Sequence, residues 1–168
     1  MSSRATTLAA LSSLFEGTIA SSAVDEPGGG ETGPRPLGVI ERDYRQCGMH
    51  LDAKIAPEQL PEAARIMFTL GYYLESITGV DWIADNELEA VYDFSRYDFD
   101  CCRVAIRVRI PRDNPQLPTI TPIYTGASWH ERETHDFFGI VFTGHPHLIP
   151  LLLPEDADFH PLLKDFSA

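Results

Sequence analysis

The chain has 168 residues, of which 43% are hydrophobic, so it is long enough for one domain with a buried core. Its formal net charge is -12. Because few lysines or arginines are available to neutralise phosphates, this charge argues against binding to nucleic acid or to an anionic lipid surface. The longest apolar run near the end, residues 148–153, is interrupted by Pro150 and falls well short of the ~20 residues that a transmembrane helix needs.

Apolar side chains near the N-terminus recur at helical spacing: Leu8, Leu11, Phe15 and Ile19. This spacing predicts a short amphipathic helix. Residues 25–36 are rich in glycine and proline, a composition typical of a flexible linker. We therefore expect residues 1–36 to form an N-terminal helix and a linker that precede the main domain.

A strand, a helix and a second strand are predicted next. Residues 49–55 alternate between apolar and polar side chains, as in a half-buried strand. Pro57 is suited to the first turn of a helix and Gly71 to its end. Between them lies an apolar stripe at helical spacing: Leu60, Ala63, Ala64, Met67 and Leu70. Residues 72–83 are predicted to form a strand with a bulge near Gly79.

A β-hairpin is predicted from two alternating segments, residues 88–94 and 103–110. The second segment places apolar side chains on one face and three arginines on the other: Arg103, Arg107 and Arg109. Across the hairpin, Glu89 and Asp93 can pair with these arginines. The arginine face has two interpretations, solvated ion pairs that contribute little stability or a surface that binds a partner.

A short helix is predicted after a proline-rich loop at residues 111–122. Ser128 and Glu131 have the spacing of a capping box, which places the start of the helix at Ser128, and Gly139 is suited to end it. Residues 140–142 are expected to be extended, and the chain is expected to turn at 144–146.

These elements predict an α+β fold: an antiparallel sheet with a helix packed on one face, plus a short C-terminal helix and an extended tail. The main domain is expected to span residues 37–147, and the tail residues 148–168. The tail carries apolar side chains without clear periodicity. It therefore either wraps a partner or packs back on its own sheet.

The segment around the short helix is dense in ionisable side chains, so a metal site is one interpretation. A zinc protease has two histidines four positions apart on a helix, but His130 and His135 are five apart and point about 140° away from each other. A site built from Glu131 and His135, with His145 or His147 as the third ligand, stays open. A small metal-dependent hydrolase is therefore the alternative from a different class of function.

The second interpretation of this segment is a docking element. No serine or cysteine stands in a recognisable nucleophile motif, and the three cysteines lack the paired spacing of a zinc or iron–sulfur site. Arg132 and Asp136 are four positions apart, which predicts an ion pair along the helix. The flanking aromatic residues can supply the contact area of an interface.

The same segment also resembles the signature of a known family. Glu131-Arg132-Glu133, Asp136-Phe137-Phe138-Gly139 and Gly144-His145-Pro146 are similar to the signature of the respiratory complex I 30 kDa subunit family. That family includes the C subunit of bacterial NADH:quinone oxidoreductase and its equivalents in membrane-bound, energy-converting nickel–iron (NiFe) hydrogenases. The likeness covers about residues 40–166, and further segments occur in the family's order: 81–82, 107–111, 129–133 and 160–166.

This resemblance implies a non-catalytic structural and assembly subunit. We expect no catalytic, cofactor-binding or metal-binding residue in this chain, and the cofactors to reside in partner subunits. The partners implied are a large catalytic subunit, which bears the NiFe centre or the quinone site, and a small iron–sulfur subunit. The chain is expected to be peripheral, on the cytoplasmic side of the membrane, and attached to it only through the complex.

Two departures from the quinone-reductase members favour the hydrogenase branch, including hydrogenases linked to carbon monoxide or formate oxidation. His135 stands where those members usually have tyrosine, and Ile149-Pro150 stands where they usually have a basic pair. The C subunit of NADH:quinone oxidoreductase is the alternative. The resemblance assigns ten residues to the signature and to the partner interface: Glu131, Arg132, Glu133, His135, Asp136, Phe138, Gly139, Gly144, His145 and Pro146.

Overall fold

A five-stranded sheet forms the centre of the fold. The structure is a computed structural model that describes residues 2–15, 36–98 and 101–167. The five strands are β1 (Gly38–Glu41), β2 (Leu51–Ile55), β3 (Tyr73–Trp82), β4 (Glu87–Arg96) and β5 (Cys102–Pro111). A separate two-stranded ladder joins β6 (Gln116–Pro118) to β7 (Val141–Thr143) in parallel.

The strand order in the sheet is β1-β2-β5-β4-β3. Three of the four pairings are antiparallel, and the predicted α+β fold is confirmed in this form. The exception is β2, which pairs in parallel with β5. Strands β3 and β4 intervene in sequence between β2 and β5, so this parallel pair joins strands that are distant along the chain.

The helices are α1 (Ser3–Ser12), α2 (Tyr44–Cys47), α3 (Leu60–Thr69) and α4 (Ala127–Phe138). The predicted stripe of α3 is buried at Leu60, Ala63, Ala64 and Met67, and Gly71 follows with φ +79. Leu11 of α1 and Phe15 just after it pack into the same core. Ile19 and residues 25–35 of the predicted linker lie outside the described residues, and the division of the chain at residue 36 stays a prediction.

The alternation on β4 and β5 predicted the core face of the sheet correctly. Its buried side chains are Leu88, Ala90, Tyr92, Phe94, Val104, Ile106, Val108 and Ile110. On the opposite face, Arg107 and Arg109 approach the buried carboxylate of Glu89 at 3.8 and 3.7 Å. Asp93, the other predicted partner, accepts a hydrogen bond from Ser76. The carboxylate of the Glu89 pairs is therefore shielded from water, contrary to the interpretation of solvated pairs.

Gly79 serves close packing, and the predicted bulge at this position is wrong. The register of β3 against β4 shifts between Leu74 and Ser76, whereas Gly79 lies opposite Ala90 in regular pairing. A Cβ atom on Gly79 would lie 2.3 Å from Cδ2 of Phe138 on α4. Glycine is needed here because the helix lies directly against the backbone of the edge strand β3.

The predicted short C-terminal helix is confirmed as α4. The C-terminal tail, which we define as residues 148–167, contains neither helix nor strand. The tail follows β7 and runs back against α4, where side chains of the domain bind its backbone. Among the described helices, none combines the length and hydropathy that a membrane span requires.

Candidate functional site

Helix α4 carries most of the signature residues, but it does not begin with a capping box. Gly126 occupies the N-cap position and makes no side-chain capping bond, and the helix starts at Ala127. Glu131, which the spacing assigned to the cap, instead points into the core. The predicted end is confirmed, because Gly139 adopts φ +75 and its N–H bonds the carbonyl of His135.

The carboxylate of Glu131 joins α4 to the loop that follows β6. Its Oε1 accepts the backbone N–H of Ile120 at 2.8 Å, and its Oε2 accepts the hydroxyls of Thr119 and Thr121. The side chain is 0% exposed. These donors satisfy a buried carboxylate, which would otherwise be costly to remove from water.

Burial and hydrogen bonds have opposite effects on the acidity of Glu131. Burial raises the pKa of its carboxyl group, and the bonds from Thr119, Ile120 and Thr121 lower it by less, so the net shift is upward. Nearby, burial and the charge of Glu131 raise the pKa of Tyr92. A negative charge is thus held inside the core at an electrostatic cost.

His145 lies beside Glu131 but is held as a neutral ring. Its Nδ1 accepts the backbone N–H of His147 at 3.0 Å, so the proton lies on Nε2, which donates to the carbonyl of Ser128 at 3.3 Å. Burial lowers the pKa of His145. The distance of 3.9 Å between its Nε2 and Oε2 of Glu131 therefore joins a neutral group to a carboxylate.

Arg132 faces the tail. Its Nε donates to the carbonyl of Ile149 at 3.0 Å and its Nη2 to the carbonyl of Pro150 at 2.9 Å. The guanidinium also lies 5.4 Å from the centroid of the Trp129 ring. The predicted ion pair with Asp136 is absent among the described residues, because both side chains bind the tail instead.

Asp136 completes this contact one turn further along the helix. A single oxygen, Oδ2, accepts the backbone N–H groups of Leu151, Leu152 and Leu153 at 2.8, 2.7 and 3.2 Å. Burial raises the pKa of the carboxyl group, but the three N–H donors and His135 lower it, and the net shift is downward. Arg132 and Asp136 together form what we call the clamp, which binds five consecutive residues of the tail.

The C-terminal end of α4 makes a second set of contacts with the tail. His160 donates from Nδ1 to the carbonyl of Asp136 at 2.8 Å, and the N–H of Leu162 donates to the carbonyl of Phe137 at 3.1 Å. A Cβ atom on Gly139 would lie 2.7 Å from the His160 ring. His135 donates to the carbonyl of Ile140 at 3.0 Å, which closes the turn after the helix.

The end of the tail is fixed to the sheet. Oδ2 of Asp81 on β3 accepts the backbone N–H of Lys164 at 2.8 Å. Arg112, which follows β5, reaches both Asp81 at 3.2 Å and Asp165 at 3.0 Å. The tail is thus attached at three places, of which the clamp is the most extensive.

Although its backbone is bound, the tail turns several apolar side chains outward. Leu152 is 62% exposed, Leu162 53%, Phe159 40% and Phe166 39%. Trp129, whose ring lies next to the guanidinium of Arg132 on α4, is 61% exposed. We call these five residues the apolar patch. Within it, the rings of Phe159 and Phe166 stack with centroids 5.5 Å apart, and neighbouring exposed apolar side chains are a feature of surfaces that bind proteins.

The structure unites some of the predicted site residues and separates others. Glu131 and His145 meet in the core, whereas the Nδ1 atom of His135 binds the turn after α4. Glu133 and Pro146 are exposed, and Gly144 adopts φ +83 in the turn after β7. Among residues 2–15, 36–98 and 101–167, no three histidine, cysteine or acidic side chains are arranged to hold a metal ion.

Sequence reasoning did not predict that Asp81 and Arg112 bind the tail. A signal existed for Asp81. It points to the same face of β3 as Ile77 and Gly79, and that face is turned toward the core. A single carboxylate on the buried face of a strand needs a hydrogen-bond or charged partner. Arg112 gave no comparable signal, since it lies in a turn with no periodicity.

The fold and the bound tail define a small α+β domain of a kind found in respiratory membrane complexes. A chain from the structure of the membrane-bound sulfane sulfur reductase, an archaeal respiratory membrane complex, matches with a TM-score of 0.63 and 30% identity, over 70% of this chain and 71% of that one. The trypsin-resistant fragment of Nqo5 matches with a TM-score of 0.52 and 32% identity, over 58% of this chain and 82% of that one.

The particular family is the respiratory-chain NADH dehydrogenase 30 Kd subunit family, to which this chain belongs, with residues 53–168 matched. The C subunit of the NADH-quinone oxidoreductase of Roseiflexus castenholzii is 40% identical, over 68% of each chain. The C subunit of the F420H2 dehydrogenase of Methanosarcina mazei is 42% identical, over 56% of this chain and 60% of that one. The resemblance found in the signature segment is confirmed.

Proposed function

We propose that this chain is a non-catalytic structural subunit of a membrane-associated, complex-I-like electron-transfer complex. In this proposal it docks on the large catalytic subunit, next to the small iron–sulfur subunit, on the cytoplasmic side of the membrane. The cofactors, a NiFe centre or a quinone site together with iron–sulfur clusters, belong to those partners. Membership of the 30 Kd subunit family and the likeness to a chain of a respiratory membrane complex support this role.

The chemistry of the signature segment supports a structural role. Glu131, Arg132 and Asp136 each bind backbone groups or hydroxyls of the chain itself. A general acid or base must be within hydrogen-bond reach of a substrate proton, and these three side chains are engaged in holding the fold. The signature therefore supports a domain that contributes its shape, and not a reacting group, to the complex.

The apolar patch is the observation that carries the proposal. Its backbone is fixed by the clamp and by Asp81, so its side chains do not simply reflect a loose chain end. Exposed phenylalanine and tryptophan side chains, here accompanied by leucines, are enriched at the centre of protein interfaces.

For the catalytic partner, we propose the large subunit of an energy-converting NiFe hydrogenase, including carbon monoxide- or formate-linked types. His135 and Ile149-Pro150 support this branch, and both positions have structural contacts here, to Ile140 and to Arg132. The second candidate is the C subunit of NADH:quinone oxidoreductase. The similarity to the Roseiflexus protein of that name favours it.

Purification of the tagged chain from its native membranes in a mild detergent tests the role and the branch. We expect the large and small subunits to co-purify, identified by mass spectrometry. Stoichiometric nickel and hydrogen-dependent dye reduction would support the hydrogenase branch, and NADH:quinone reductase activity without nickel would support the other. Recovery of the chain as a monomer would contradict the assembly role.

The apolar patch is tested by Leu152→Ser combined with Leu162→Ser. We expect the yield of the complex to fall at least about tenfold, because truncation of central apolar contacts is costly at interfaces. Phe68→Ser is the matched control, since Phe68 on α3 is 59% exposed and lies outside the patch. A normal yield from the double variant would show that the patch is not the docking surface.

A further inference from the structure

We infer that the docking surface is formed before the partner binds, because the clamp folds the tail onto α4 within the isolated chain. This inference rests on the proposed function and deepens it. Arg132 and Asp136 are positioning residues that act through the tail. The partner surface that fits the apolar patch is an apolar groove with lysine or arginine side chains along its rim.

The clamp binds polar backbone groups in sequence order. Arg132 binds the carbonyls of residues 149 and 150, and Asp136 binds the N–H groups of residues 151 to 153. Bonds between charged side chains and backbone groups are stronger than neutral ones. Five such bonds over five residues fix the path of a segment that has no helix or ladder of its own.

Asp136 itself is placed to support the surface and not to contact a partner. Its side chain is only 3% exposed, since it lies beneath residues 151–153. Leu152, whose N–H bonds Asp136, is 62% exposed at its side chain. One residue of the tail thus connects the buried carboxylate to the outward apolar patch.

The charge around the apolar patch indicates the chemistry of the partner. Residues 155–158 of the tail include three exposed acidic side chains, Glu155, Asp156 and Asp158. An interface of this kind is complemented by an apolar groove with basic residues at its rim. A second copy of this chain is a poor occupant, because two patches with the same negative rim and a net charge of -12 on each chain repel each other.

A surface formed in advance has a different signature from a tail that folds on its partner. A segment that orders on binding shows exchangeable amides in the free protein and loses affinity to the ordering cost. A segment already held by a clamp shows protected amides in the free protein. Loss of the clamp then weakens docking without removing any atom of the contact surface.

Amide hydrogen exchange on the full free chain is the first test. We expect the N–H groups of residues 151–153 to exchange on the order of 100-fold more slowly than in an unstructured peptide. Asp136→Ala should abolish this protection and Asp136→Asn, which retains one acceptor oxygen, should reduce it. Glu58→Ala, which removes an exposed acid just before α3, should leave it unchanged. Full exchange in the wild-type chain would overturn the inference and leave the assembly role standing.

The second test measures the kinetics with which the chain binds the large subunit. That subunit is isolated together with the chain from native membranes. We expect Asp136→Ala to weaken binding about tenfold, since the tail must then order on binding. The triple variant Glu155→Gln, Asp156→Asn, Asp158→Asn should keep its amide protection, associate about tenfold more slowly at low salt and lose most of its salt dependence. Unchanged association would overturn the proposed partner chemistry.

Two further outcomes separate the inference from the function on which it rests. If the chain is recovered without a large subunit, the assembly role fails, whereas the exchange data still report whether the tail is folded in advance. If sedimentation shows that the free chain dimerises and that Leu152→Ser dissociates the dimer, a second copy occupies the patch and the proposed partner chemistry is overturned.

Discussion

On one side of α4, Glu131 lies in the core and binds the loop at residues 119–121, while on the other side Arg132 and Asp136 bind the tail. Both sides use charged side chains to hold segments without regular hydrogen bonding. They differ in whether the segment that they hold can find another hydrogen-bond partner when a bond is removed. A group in the core has no alternative partner when its bond is removed, whereas the backbone of a surface segment can bond to water.

This difference separates what stabilises the domain from what shapes its surface. Changes on the core side of α4 are expected to affect the free energy of unfolding of the whole domain. Changes on the tail side are expected to open the tail while the sheet stays folded, as for other local units of low stability. The pKa shifts follow the same division, since burial outweighs the hydrogen bonds for Glu131, whereas the hydrogen bonds and His135 together outweigh burial for Asp136.

The largest effect is expected from Glu131→Ala. The substitution leaves the buried N–H of Ile120 and the hydroxyls of Thr119 and Thr121 without their acceptor, and we expect a loss of about 3 kcal/mol in the free energy of unfolding. Urea denaturation followed by circular dichroism measures it. Glu133→Ala, an exposed neighbour, should change stability by less than about 0.5 kcal/mol. Equal effects of the two substitutions would contradict the division between the sides.

Gly79→Ala comes second, because it tests the packing of the core side against the sheet. The new methyl group would overlap the ring of Phe138, and we expect a destabilisation of about 2 kcal/mol. Adding Phe138→Leu should recover part of that loss, so the two substitutions should not be additive. Strict additivity in urea denaturation would show that the close approach does not limit position 79.

Arg132→Ala should have a smaller and local effect. Since Arg132 binds two carbonyls and no carboxylate, its removal orphans no buried charge, and the expected loss is about 1 kcal/mol. Amide hydrogen exchange should accelerate at residue 149 and at residues 151–153, and it should remain slow in β4 and β5. In Arg132→Lys the lysine can bond one of the two carbonyls, so its stability and exchange rates should lie between those of the wild-type chain and Arg132→Ala. Faster exchange throughout the sheet would place Arg132 with the core residues instead.

The same division explains what the sequence could and could not predict. The alternation of β4 and the stripe of α3 reported the core face directly, since periodicity records which side is buried. The spacing of Ser128 and Glu131 fits a capping box equally well whether the carboxylate turns toward the helix start or toward a distant loop. The parallel pairing of β2 with β5 depends on register between distant segments. The clamp depends on side-chain bonds to backbone, which leave no pattern in the tail.

The smallest expected effect is a change in the pH dependence of stability, and it too separates Glu131 from Asp136. The pKa of Glu131 is raised in the folded protein, so its contribution to stability is full below the unfolded value of about 4.3 and is lost as pH rises through the folded value. The pKa of Asp136 is lowered, so its contribution is full above about 3.9 and is lost as pH falls through the folded value.

Urea midpoints measured across this pH range distinguish the two carboxyl groups. The urea midpoints of Glu131→Gln should lack the decline that the wild-type chain shows above about pH 4.3. The midpoints of Asp136→Asn should keep this decline and lose only the fall that the wild-type chain shows at low pH. His145 is present in all three proteins, and its lowered pKa favours the folded state as pH rises, which is opposite to the decline that Glu131 causes. Parallel profiles for the wild-type chain and Glu131→Gln would show that burial of this carboxylate is not the cause of the shift.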